Sequence, residues 1–246
     1  MRIMSTSSVS EVESAAEIVA TFADRTLPLA KAVLHEEYYY QSLSLCVIDA
    51  IYSINAKYAA VENVVARYCN RFGLTRLRAD RGRLPATAEQ EAISVLYRRL
   101  SEPGAERFAA EVFANRQRTS AHSGILKAEA VHRFAQLLVE HKVNYFQDIP
   151  SVADSAIFEE AVRAIPGQRS GISLQYFWML AGSDDLVKPD RQIVRFVQRA
   201  LDRPVTPPFA GACLAQAAYL LRTKYPHLSP RLLDYEAWRF EKDHPS

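Results

Sequence analysis

Residues 164–180 read AIPGQRSGISLQYFWML. Pro166 cannot continue a helix and Gly167 readily takes left-handed backbone, so an apolar helix must end before them. An aromatic-rich helix starts around Ser170, apolar enough to be buried. At such a start several backbone N–H groups lack internal partners and carry the positive end of the dipole, which makes a ready anion site. Gly167 and Gly171 would let a phosphate approach the main chain, and Arg169 adds charge. A Pro–Gly pair also simply closes and opens helices in many proteins, so this stretch alone leaves both readings open.

Working outward, helical periodicity dominates the chain. SEVESAAEIVATFAD reads as an amphipathic helix with Ser10 before an acidic first turn. LSLCVIDAIYSINAKYAAVENVVARYCNRFG reads as two helices or one broken helix, closed by Gly73. TAEQEAISVLYRRL follows, with Thr87 as cap, then GAERFAAEVFAN and LKAEAVHRFAQLLVEHK on either side of the polar loop RQRTSAHSG. SAIFEEAVRAI precedes the Pro–Gly turn, and DRQIVRFVQRAL, PFAGACLAQAAYLLRTKY and SPRLLDYEAWRFEK follow the aromatic helix. No segment alternates over strand lengths, and eight glycines leave little room for hairpins. The expected class is all-α. The loop LDRPVTPPFAG separates the Asp190 helix from the C-terminal helices and is a candidate for carrying the chain between lobes.

Composition narrows the function classes. With 49% hydrophobic and 24% charged residues in 246, the chain has ample core for one large domain or two lobes. The net charge of +2 says nothing of nucleic acid. Charge is unevenly spread, however. RFGLTRLRADRGR carries five arginines against one aspartate, whereas Glu11, Glu13, Glu17, Asp24, Glu36 and Glu37 make the N-terminal part acidic. A charged run is usually a solvated face. Cys46, Cys69 and Cys213 have neither disulfide-framework nor metal-site spacing and read as buried thiols of a reducing cytosol. His122, His132 and His141 have no metal spacing either. No run is long enough to span a membrane, and MRIMSTSSVS lacks the apolar stretch of a secretory signal. A cytoplasmic protein without metal or other cofactor is expected.

Beyond the aromatic helix, VKPDRQIVRFV puts Asp190 at the N-cap of another amphipathic helix. An aspartate there commonly serves only as a cap. Taken together, however, the two segments resemble the helix-hairpin-helix (HhH-GPD) DNA glycosylase superfamily. IPGQRSGIS matches its L-P-G-x-G-x-x-T-A hairpin, and VKPDRQIVRF matches the segment bearing its catalytic aspartate. Upstream, SINAKYAAVENVVARY looks like the early helix pair of those enzymes, and NRQRTSAHSGILKAEAVHRFAQLLVE like the loop and helix before the hairpin. The likeness covers roughly residues 40 to 200.

The resemblance implies a two-lobed helical fold with a central cleft. Its implied parts are a helical-bundle lobe at 40–150, the hairpin and aspartate segment at 151–200, and a second lobe from 1–39 with 201–246. It further implies a monomeric enzyme that flips a nucleotide out of duplex DNA and cuts its base–sugar bond, with DNA as partner and a nucleoid location. Asp190 would be the catalytic carboxylate, stabilising an oxocarbenium-like sugar or deprotonating water. Pro166, Gly167, Gln168, Arg169, Ser170 and Gly171 would hold the DNA backbone. Asn115, Arg116 and Arg118 suit phosphate or minor-groove contacts, with an exposed connector as the alternative. Asn55 aligns with a glutamine that fills the gap left by the flipped base in some relatives; a polar helix-end residue is the alternative.

Three departures from the family pattern shape the expectation. Arg169 replaces the second hairpin glycine. Gly171 stands where bifunctional members keep a lysine nucleophile, which points to a monofunctional enzyme leaving an abasic site. Lys188, close in sequence to Asp190, leaves a relocated amine open. Three scattered cysteines cannot hold an iron–sulfur cluster. Gly171 would leave space in the base pocket, with Gln175 one turn on along the same face and Tyr39 as a stacking candidate among Tyr38, Tyr39 and Tyr40. A roomy pocket would suit a bulky modified base, such as those of invading phage DNA. Tyr176, Phe177, Trp178 and Met179 run consecutively and cannot share one face, so most of them read as core, as does Trp238. A non-catalytic DNA-binding module with Asp190 as a mere cap is the alternative; a purely structural scaffold ranks last.

Overall fold

The computed structural model describes residues 6–121 and 124–244, so His122 and residues 1–5 lie outside the described residues. The described chain is all-α. Among these residues there is no strand, only isolated bridges pairing Tyr40 with Leu77 and Arg118 with Leu126. No described helix is long and apolar enough to cross a membrane.

The fold divides into two compact units, 36–181 and 1–35 with 182–246. The first unit is built around α2 (Leu43–Tyr52), all of whose residues are buried. A helix apolar on every side has no solvent face to offer and becomes a core. It packs on α3 (Tyr58–Phe72), α4 (Ile93–Ser101), α6 (Lys127–Glu140) and α8 (Ile172–Leu180), while α5 (Ala105–Glu111) and α7 (Ala156–Ala164) lie against α6. The one carboxylate in α2 is fully satisfied: Asp49 accepts hydrogen bonds from Tyr40 Oη and Ser53 Oγ, both at 2.8 Å. Such pairing is what allows a charge in a core. Gly73 closes α3 in left-handed backbone with φ +63°, as its sequence position requires.

In the second unit α1 (Thr6–Thr26) packs on α9 (Arg191–Leu201) and α10 (Pro207–Leu221), and α11 (Pro230–Asp243) packs on α9 and α10. Edge-to-face rings of Phe22, Phe196 and Phe240 fill the space between α1, α9 and α11. Cys46, Cys69 and Cys213 are buried thiols.

Three local expectations are corrected. Ser10 lies inside α1, which already runs from Thr6. Thr87 opens only a 3-10 turn, Thr87–Glu89, and α4 begins at Ile93. The intervening polar residues are drawn into tertiary bonds instead. Gln90 donates to the Pro85 carbonyl and accepts from Phe146 N–H, and Glu91 takes bonds from Tyr68 Oη and Arg99. Finally, the chain passes between units at 35/36 and 181/182, so the loop LDRPVTPPFAG lies within one unit. The hairpin therefore belongs to the first unit and Asp190 to the second.

Candidate nucleic-acid interface

Two linked turns make the hairpin. Gln168 N–H donates to Ile165 O and Gly171 N–H to Gln168 O, each at 2.9 Å. Pro166 occupies the second position of the first turn and Gly167, at φ +90°, the third, the arrangement of a type II turn. Gly171, at φ +75°, directly precedes α8, two residues later than the expected start near Ser170. Gly167, Arg169 and Ser170 are exposed and Pro166 is half-buried, but Gln168 and Gly171 are buried, so the Gln168 side chain expected on the DNA backbone is turned into the protein instead. Gln168 accepts a hydrogen bond from Ser173 Oγ, tying the turn to the helix it opens.

The polar loop before α6 docks on this turn. Thr119 is buried, donates through Oγ1 to Pro166 O at 3.0 Å and accepts from Ile125 N–H at 3.2 Å. A Cβ on Gly167 would stand 2.4 Å from Thr119 Cβ, so glycine is needed there for close approach as well as for φ. The loop is itself closed by Thr119 N–H to Ile125 O at 2.9 Å and Lys127 N–H to Gln117 O at 2.8 Å.

The loop itself borders an open cleft of about 430 Å³ together with Asn55 and Lys127, its own lining residues including Gln117, Arg118 and Ser120. Lys127 is the first residue of α6, where the helix dipole disfavours a cation. Its ammonium instead serves the opposite end of another helix. Nζ donates to the Tyr52 carbonyl at 2.9 Å and the Ile54 carbonyl at 2.6 Å, at the C-terminus of α2, and to Gln117 Oε1 at 2.9 Å. Burial pushes the amine down to about 8. Asn55 follows at once in left-handed backbone, φ +48°, a conformation asparagine tolerates better than most residues.

The other sequence-predicted residues of this unit fall nearby or apart as follows. Asn115 Oδ1 accepts from Gln117 N–H at 2.9 Å, a local turn rather than a free probe. Arg116 is exposed and pairs with Glu106 at 3.4 Å. Arg118 is exposed, borders the cleft, and donates Nε to Gly124 O at 2.9 Å. Gln175 is half-buried, and its N–H bonds to Gly171 O at 3.0 Å. Tyr39 is half-buried with the Arg78 guanidinium 5.6 Å from its ring centre.

The space expected at Gly171 is filled. A Cβ there would meet Arg163 Nη2 at 2.7 Å, and that guanidinium also pairs with Glu159 at 2.9 Å. The glycine makes room for an arginine of α7.

In the second unit Asp190 caps α9: Oδ1 accepts from Gln192 N–H at 2.8 Å and Ile193 N–H at 3.3 Å. Asp190 is half-buried. The backbone before it is turned tightly, Asp190 N–H reaching Lys188 O at 2.6 Å. Lys188 N–H donates to Asp234 Oδ1 at 2.9 Å. Burial, then the Asp190 charge, hold the Asp234 carboxyl well above the usual carboxylate range.

Sequence reasoning missed Lys127, Thr119 as an anchor, Arg163 and Asp234. Only Lys127 left a signal, a cation at the wrong end of a helix dipole. The others are ordinary residues in amphipathic or polar runs: Thr119 and Asp234 matter through partners distant in sequence, and Arg163 through the turn that folds Gly171 back onto it.

No curated protein and no solved structure matches this chain. Residues 16–242 match a family described as a domain of unknown function, and the chain belongs to that family, DUF8548.

Proposed function

We propose that this protein is a monofunctional DNA N-glycosylase of the HhH-GPD kind, releasing a modified base and leaving an abasic site. The observation that carries the reading is the hairpin: two linked turns with Gly167 at φ +90° and Gly171 at φ +75° that keep Arg169 and Ser170 exposed just ahead of α8. Backbone of this form, followed by a helix start and flanked by a cation, suits a DNA phosphate. The cleft bordered by Asn55, Gln117 and Arg118 adds polar groups at the loop that docks on the hairpin.

Asp190 supplies the chemistry in this reading. Cleavage of an N-glycosidic bond builds positive charge on the sugar, and a carboxylate can stabilise it or take the proton of an attacking water. Among the described residues the hydrogen bonds of Asp190 fall on Oδ1, the capping oxygen. Oδ2 is the oxygen this role requires. Position 171 carries no amine, which favours an abasic site over a cut strand as the product. Because Arg163 fills the space beside Gly171, that glycine lends no support to a preference for bulky bases.

The test is incubation of purified protein with duplexes carrying small lesions and bulky modified bases, followed by alkali. Alkali-cleavable sites from the wild type but not from Asp190→Asn support the enzyme; a covalent complex trapped by borohydride would overturn the monofunctional assignment. The capping bonds of Asp190 favour one second reading, a DNA-binding module without catalysis. Duplex binding with no base release across the panel would establish it.

A further inference from the structure

We infer that Asp234, in α11, is a positioning residue for Asp190; this rests on the glycosylase reading for its consequence in catalysis but not for its geometry. Asp234 is 8% exposed and accepts Lys188 N–H at 2.9 Å, and Lys188 O in turn accepts Asp190 N–H at 2.6 Å. The carboxyl thus holds one end of a three-residue turn whose other end is the capping aspartate. Pro189, between them, is buried and fixed in φ, and it faces Gly211 of α10, where an added Cβ would stand 3.2 Å from Pro189 Cβ. The turn is therefore gripped by α11 on one side and α10 on another. Upstream, Arg231 N–H donates to Asp184 O at 3.0 Å, and its guanidinium reaches Asp184 Oδ1 at 3.3 Å, so the start of α11 fastens the whole 184–190 segment.

A buried carboxyl is an expensive way to accept one backbone N–H bond. Its surroundings give it a second property. The charged groups facing Asp234 are Asp190 and Lys188 from the turn and Arg231 from its own helix, and burial is the largest influence on it. Burial and the Asp190 charge together favour the protonated form of Asp234, against the opposing pull of Lys188 and Arg231. Loss of the Asp234 proton would put a second negative charge beside the first and weaken the turn. Asparagine at 234 mimics the neutral acid, and alanine removes the grip.

Two measurements that need no substrate decide the geometry. Amide hydrogen exchange at Gln192 and Ile193 reports the Asp190 cap. Asp234→Ala is expected to speed it roughly fivefold, the scale of losing an N-cap, while Asp234→Asn and the α10 amides stay within about twofold. Carbon-13 titration of the aspartate carboxyls in the intact protein is expected to find Asp234 titrating above the others, and lower in Asp190→Asn. Unchanged exchange in Asp234→Ala, or Asp234 titrating with the exposed carboxyls in both proteins, overturns the proposal. If Asp234→Ala does not fold, protection of the Lys188 amide in the wild type decides in its place, and an unprotected amide overturns the proposal. On a duplex substrate, Asp234→Ala should lower kcat about tenfold with KM unchanged, and Asp234→Asn should retain kcat at alkaline pH where the wild type loses it. Base release absent from all variants, with exchange and titration as expected, sinks the glycosylase reading and leaves the positioning role standing.

Discussion

Lys127 Nζ lies 2.6 Å from the carbonyl of Ile54, joining the start of one helix to the end of another directly before the left-handed Asn55. A cation placed at a helix N-terminus opposes the dipole there but complements the orphan carbonyls at the C-terminus of α2. Lys127 also borders the cleft beside the docked loop.

Lys127→Met should therefore destabilise the protein by about 2–4 kcal/mol at neutral pH, because three acceptors lose their donor. Thermal or denaturant unfolding measures it. A loss under about 0.5 kcal/mol would show that the amine is dispensable.

The same lysine sets a pH dependence. Its folded-state pKa of about 8 lies below the ordinary 10.5. Between those values the unfolded chain holds more protons, so stability rises with pH across the window. The penalty for burying the charged form is present in full below pH 8. The stability difference between wild type and Lys127→Met should accordingly widen from pH 8 to 10.5, by up to about 3 kcal/mol. Paired unfolding curves at the two pH values check the sign.

The two hairpin glycines should differ in cost. Gly167→Ala meets both a positive φ and backbone-anchored Thr119, and a loss of about 2–4 kcal/mol is expected. Gly171→Ala meets the far end of a flexible arginine and should lose only about 1 kcal/mol. Equal losses in denaturant melts would contradict the docking of the loop on the turn.

Arg169 is exposed, and its removal should leave stability within about 0.5 kcal/mol. In a duplex titration at several salt concentrations, Arg169→Ala should weaken binding to all sequences alike and reduce the salt slope by about 1. A change confined to one sequence would reassign Arg169 to base readout.

Asp190→Asn retains a side-chain oxygen for the α9 cap, so it should melt within about 1 kcal/mol of wild type and bind duplex unchanged while releasing no base. Asp190→Ala should melt lower by about 1 kcal/mol as the cap is lost. Retained base release in Asp190→Asn would move the chemistry elsewhere.

Much of the local architecture was legible in the chain itself. Periodicity set the all-α class, Gly73 marked the end of α3, and Pro166–Gly167 marked the turn, because each is a property of a residue and its near neighbours. Asp190 as an N-cap was legible for the same reason. The start of α4 was not, since Gln90 and Glu91 answer to Pro85, Phe146, Tyr68 and Arg99.

Only the tertiary structure decided what surrounds the candidate residues. It set Thr119 against Gly167 and Arg163 over Gly171, and brought the Asp234 carboxyl to Lys188 N–H. Two of these pairs are more than forty residues apart, and the third spans the turn between α7 and α8. Their proximity follows from how apolar helix faces are buried, and no local pattern encodes which polar groups that burial brings together.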